Sequence, residues 1–90
     1  MSQYQLPTIL VVENEPDPSR RLEVSLDRIG FEGVSVTSGE QALAWLDDQN
    51  LGDRKPILAL VDLHLEGTLS GVKLGQRLGS IYQVPFFFLA

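Results

Sequence analysis

Apolar residues fall into four short runs, separated by longer stretches in which they recur every three or four positions. The first run, "ILVV" at 9–12, is β-branched and unbroken, which predicts a strand buried on both faces. It runs into the acidic stretch "ENEPD". Asp17 suits a helix N-cap there and Pro18 the first helical position. Leu22, Leu26 and Ile29 then mark one face of a helix that Gly30 ends. "GVSV" at 33–36 predicts a second strand with Val34 and Val36 on one side. Ser38, followed three residues later by Gln41, has the form of a capping box. The helix after it is apolar along Ala42, Leu43, Trp45 and Leu46.

A polar loop, "NLGDRKP", precedes the third run, "ILALV" at 57–61, which ends on Asp62. Ser70 can cap a third helix whose face is Leu74, Leu78 and Ile81, and Gly71, Gly75 and Gly79 weaken that helix locally. "VPFFFLA" at 84–90 is the fourth run, with Phe86, Phe87 and Phe88 read as a buried strand. Buried strands alternating with amphipathic helices predict an α/β fold with a parallel sheet and right-handed crossovers.

Composition narrows the function. Ninety residues make one domain with a thin core. With 43% hydrophobic and 21% charged residues the chain reads as globular rather than disordered. A net charge of -5 disfavours direct contact between this segment and nucleic acid. The absence of cysteine excludes disulfides, thiolate catalysis and Cys-based zinc sites. No apolar run is long enough to span a membrane, and "MSQYQLPT" lacks the regions of a signal peptide, so a cytoplasmic location is expected.

In a parallel sheet, chemistry gathers beyond the carboxyl ends of the strands. The first strand ends in Glu13, Asn14 and Glu15 and the third in Asp62. If these strands are neighbours, Glu13, Asn14 and Asp62 converge, and such oxygen donors suit Mg²⁺. Each residue also has a plainer reading. Asp62 can be a turn former, and Asn14 can satisfy loop backbone. Glu15 and Asp17 can serve as helix N-terminal charges, and Asp47 and Asp48 as a solvated helix end. Trp45 reads as packing, and the lone His64 as a loop group.

"ILVVENEPD" resembles the first strand and acidic loop of response-regulator receiver domains, and "ALVDLHLEGTLSG" resembles their phosphoacceptor segment. "VPFFFLA" is similar to their fourth strand, so the resemblance covers nearly the whole chain. It implies a flavodoxin-like three-layer sandwich with strand order 2-1-3-4, the fifth strand missing. It implies that Asp62 accepts a phosphoryl group from a histidine kinase or phosphotransfer protein in a two-component phosphorelay, and that the domain is a switch rather than an enzyme. Glu13, Asn14 and Asp62, with the backbone carbonyl of His64, would hold Mg²⁺.

Three departures from the family pattern bear on that reading. Asn14 stands where the family has an acid, so Mg²⁺ should bind weakly. Ala90 stands where it has Ser or Thr. The last helix–strand–helix portion, with its lysine, is absent from these 90 residues, which would leave the fourth strand as an apolar edge that a second copy could cover in a homodimer. The runner-up reading is a pseudo-receiver, an interaction module with the same fold and little phosphotransfer. A dehalogenase-type enzyme ranks lower, because the second acid it needs is replaced by His64. A nucleotide-binding fold is disfavoured because acids, not a glycine-rich loop, follow the first strand.

Overall fold

The computed structural model describes residues 6–48 and 52–89. Every residue of strand β1, Thr8–Val12, is buried, which requires packed layers on both of its faces. The elements that supply them follow in the order helix α1 (Pro16–Arg28), strand β2 (Glu32–Val36), helix α2 (Gly39–Leu46), strand β3 (Leu58–Asp62), helix α3 (Gly71–Arg77) and strand β4 (Phe86–Leu89). A short 3₁₀ turn, Gly52–Arg54, leads into β3. The four strands form one parallel sheet in the order β2-β1-β3-β4.

Alternation along β1 sorts the layers. Leu10 and Val12 face the larger core, built with Ala42 of α2, Ala59 and Val61 of β3, Leu65, Leu69, Leu74 and Leu78. Ile9 and Val11 face the other way, against Leu26 and half-buried Leu22 of α1. Helices α2 and α3 therefore share one face of the sheet and α1 takes the other, giving three layers. Helix α1 ends in a Schellman closure. The Phe31 N–H donates to the Leu26 carbonyl and the Gly30 N–H to that of Asp27, with Gly30 at φ 95°.

Several sequence expectations are corrected. Helix α1 begins two residues earlier than the Asp17 cap implies. Glu15 is its N-cap, without a side-chain cap bond, and Pro16 supplies the pre-set φ of the first position. Leu74 and Leu78 are buried, but Ile81 is 65% exposed. Residues Leu78–Tyr82 form a π-helical turn ending at left-handed Gln83, and the wider turn carries Ile81 off the helix face. Phe86 is half-buried, whereas Phe87 and Phe88 are 67% and 41% exposed, because β4 is a sheet edge and pairs only with β3 among the described residues. Register places Phe87 on the α1 face, while α1 itself lies over β1 and β2. Ala90 and part of the loop before β3 lie outside the described residues. Asp47 is not merely solvated, since it accepts a hydrogen bond from the Tyr82 hydroxyl at 2.5 Å.

Gly71 is a packing requirement rather than a weakness. A methyl group on Gly71 would lie 2.5 Å from the Asp62 carbonyl oxygen and 3.1 Å from that of Leu63, so the start of α3 rests directly on the end of β3. Gly79, by contrast, has no neighbour closer than 4.0 Å. Gly71→Ala is therefore expected to cost about 1–3 kcal/mol despite alanine's better helix propensity. Gly79→Ala should be neutral or stabilise by up to about 1 kcal/mol. Urea denaturation midpoints of the two variants check this contrast.

Candidate functional site

The ends of β1 and β3 carry the site. Val12 pairs with Val61, so Glu13 and Asp62 leave the sheet side by side, one step past that pair. Neither segment is loose at that point. The Glu13 N–H donates to the Val36 carbonyl at 3.1 Å, extending the β1–β2 ladder. The Leu63 N–H donates to the Leu89 carbonyl at 3.1 Å, extending the ladder between β3 and β4. Buried Ser19 of α1 donates its hydroxyl to the Glu13 carbonyl at 3.4 Å. The acid loop is thus held from the sheet and from α1.

Two carboxyl groups meet in this corner. Glu13 is buried and Asp62 half-buried. Burial pushes the Glu13 carboxyl up from its ordinary 4.5 to about 7. Its hydrogen bond to the Asp62 carboxyl and the negative charges of Asp62 and Glu15 push in the same direction. The Glu13 carboxyl therefore holds its proton well above the ordinary carboxylate range. Asp62 also turns the chain, its Oδ1 accepting from the His64 N–H at 2.9 Å. The turn-forming reading of Asp62 is real, and its contact with Glu13 is additional to it.

Asn14 follows Glu13 directly and is half-buried. Glu15 is exposed, serving as the α1 N-cap while its charge reaches Glu13. The His64 side chain is exposed in the turn after Asp62. Among the described residues no three His, Asp or Glu side chains cluster as metal ligands, so the charged part of the site is a pair. The donor set nevertheless fits a hard dication. Burial, with the neighbouring Asp62 carboxyl, holds the Glu13 carboxyl up to about 7, and an amide oxygen and a turn carbonyl adjoin the two acids in the chain. Mg²⁺ takes such oxygens and keeps its remaining waters.

Sequence reasoning overlooked Glu40. Its Oε2 accepts from the Thr68 hydroxyl and, at 3.2 Å, from the Leu69 N–H, tying α2 to the loop after Asp62. Ser19 was also overlooked. A polar residue one turn into a helix carries no sequence signal until the fold places it under the acid loop. Ser38 and Ser70 cap α2 and α3 as their positions predict, accepting from the N–H groups of Gln41 and Lys73. The Gln41 side chain reaches Thr37 rather than the cap residue, accepting from its N–H and its hydroxyl.

No protein-family model matches the chain. It is similar to the phosphate regulon transcriptional regulatory protein PhoB of Pseudomonas aeruginosa, with 38% identity over 71 residues. That match takes in 79% of this chain and 28% of the other, so the chain spans less than a third of the length of this regulator. Among solved structures it is similar to the signal receiver domain of a modulated diguanylate cyclase from Desulfovibrio desulfuricans G20. The TM-score is 0.79 at 32% identity, covering 93% of this chain and 64% of that one. It is also similar to the N-terminal domain of a response regulator receiver protein from Methanoculleus marisnigri JR1. There the TM-score is 0.79 at 26% identity, covering 96% of this chain and 68% of the other.

The raised Glu13 carboxyl makes stability depend on pH. The folded protein binds that proton more tightly than the unfolded chain, so the contribution is complete below 4.5 and is lost as pH rises through about 7. Without divalent cations, the domain should lose on the order of 2 kcal/mol between pH 4.5 and 8 from this group. Glu13→Gln, which keeps a hydrogen-bond donor and removes the charge, should flatten that slope and melt higher than the parent at pH 8. Thermal melts of both proteins across that range, in the presence of a chelator, check the sign.

Proposed function

We propose, on the premise that this chain belongs to the response-regulator receiver family, that it is a phosphoacceptor switch module. A histidine kinase or phosphotransfer protein would supply the phosphoryl group in a two-component pathway, and Asp62 would receive it. The observation that carries this reading is the contact between the Glu13 and Asp62 carboxyls at the carboxyl edge of β1 and β3.

The chemistry follows from those residues. An ionised Asp62 oxygen attacks the phosphorus of a phosphohistidine, a P–O bond forms, and the P–N bond breaks. The departing imidazole nitrogen takes a proton. The His64 N–H fixes the orientation of the Asp62 carboxylate, so less rotational freedom is lost on the way to attack. Glu13 must give up its proton before both acids can serve as anionic ligands, which ties competence of the site to pH and cation. Glu13, Asn14, Asp62 and the His64 carbonyl are the groups that would hold Mg²⁺. When bound, Mg²⁺ supplies positive charge that offsets the carboxylate pair and the phosphoryl oxygens.

The domain is read as a cytoplasmic signalling module whose turnover is confined to its own aspartyl phosphate. Among the described residues no helix is long and apolar enough to cross a membrane. Asn14 favours a second reading, a pseudo-receiver that works by protein contact, because a neutral amide oxygen binds a dication less tightly than a carboxylate.

One experiment separates the two readings. Incubation with a small phosphodonor and Mg²⁺ is expected to yield an acid-stable, base-labile acyl phosphate that Asp62→Asn abolishes. No modification in the parent protein under saturating donor would leave the pseudo-receiver reading. Asn14→Asp should tighten Mg²⁺ binding by about tenfold, since it adds a charged oxygen ligand. A Mg²⁺ titration with the fold intact checks that effect, and unchanged affinity would remove Asn14 from the ligand set.

A further inference from the structure

The loop of residues 63–70 carries the turn that holds Asp62, yet most of it lacks sheet or helix bonds. His64, Glu66, Gly67 and Thr68 are exposed, and Gly67 is left-handed at φ 103°. Its inward anchors are Leu65 and Leu69, buried in the larger core. Its outward anchor is the Glu40 carboxylate, which accepts from both Thr68 and Leu69.

We propose that Glu40 is a positioning residue for the Asp62 site. By holding Thr68 and Leu69, its carboxylate keeps the loop closed so that the His64 N–H stays on Asp62. The consequence for phosphoryl acceptance rests on the receiver reading above, whereas the positioning itself does not.

Three observations support this role. Glu40 lies in the first turn of α2, next to the Ser38 cap, where the helix dipole favours an anion. The same turn presses Gly39 against Leu69, and a methyl group there would stand 2.8 Å from Leu69 Cδ2, so side chain and backbone grip one point of the loop. The Thr68 hydroxyl, followed by backbone N–H groups including that of Leu69, holds the Glu40 carboxyl below its ordinary value, as a carboxylate used as an acceptor requires. A charge serving only the helix dipole would need none of the loop contacts. The turn also follows Val36, whose carbonyl accepts the Glu13 N–H. The segment from Val36 to Glu40 therefore bonds to both acid-bearing segments, at one end through the Val36 carbonyl and at the other through Glu40.

The test is residue-resolved amide hydrogen exchange of the whole chain and its Glu40→Ala and Glu40→Gln variants, with the urea midpoint and the acyl-phosphate formation rate measured in parallel. In Glu40→Ala the His64 and Leu69 amides should exchange about tenfold faster, with Leu26 in α1 unchanged and the midpoint nearly preserved. Glu40→Gln, which keeps an acceptor oxygen, should recover most of that protection. Phosphorylation should fall by about tenfold in Glu40→Ala and partly recover in Glu40→Gln. Unchanged His64 exchange in Glu40→Ala overturns the proposal, and so does acceleration of all amides alike. If the parent protein accepts no phosphoryl group but Glu40→Ala still frees His64, the positioning role stands and the receiver chemistry falls.

Discussion

Strand β1 has no side that faces water, and this constraint organises the chain. Its two faces demand two layers, so α1 must cross to one side while α2 and α3 pack on the other. Its two edges are paired by β2 and β3, which leaves the chain no surface on which to slide. Where the strand ends, the next residue has nowhere to go but the corner beside Asp62. The polar chemistry of Glu13 is thus set by apolar packing several residues upstream. Moving β1 by one residue would turn its core-facing residues to the opposite layer, so the approach of the two acids is as rigid as the core itself.

Holding two like charges together costs free energy, and the surroundings are arranged to bear it. Glu13 retains its proton to about 7, which removes one charge over much of the acid range. Backbone hydrogen bonds then restrain both segments: the Glu13 and Leu63 N–H groups donate to the Val36 and Leu89 carbonyls, and the His64 N–H donates to the Asp62 carboxylate. Helix α2 contributes at both ends. Its first turn holds the Asp62 loop through Glu40, and its C-cap Asp47 accepts from Tyr82 at the close of the π-helical turn. An anion at a helix C-terminus is unfavourable to the dipole. The Tyr82 hydroxyl offsets part of that cost, and donating to Asp47 raises its own pKa.

Much of this was legible in the residues. The uninterrupted run at 9–12 marked the central strand, and the Ser38 and Ser70 caps marked two helix starts, because each rests on local chemistry that no distant contact overrides. The pairing of Glu13 with Asp62 could be expected only on the assumption that the first and third strands are neighbours. Less legible was whatever depends on the third dimension. Ile81 matches helical spacing, yet the π turn carries it outward. Phe87 and Phe88 read as interior until the sheet edge exposes them. Gly71 looked like a flaw because its reason for being glycine, the carbonyl of Asp62, lies nine residues back in sequence and against it in space. Glu40 carried no signal in the sequence because its partners are 28 and 29 residues away.

The contact between Gly71 and the end of β3 also limits how this protein can diverge. The eight residues between Asp62 and Gly71 form a closed bridge whose two feet touch. The exposed positions His64 and Glu66 within it can exchange for other side chains without disturbing the feet, whereas Thr68 is held by its bond to Glu40. A residue inserted or deleted beside either foot would part the feet or drive them together and so displace the acid at the bridgehead. Lineages that keep this site should therefore vary the spelling of the bridge while holding its length constant.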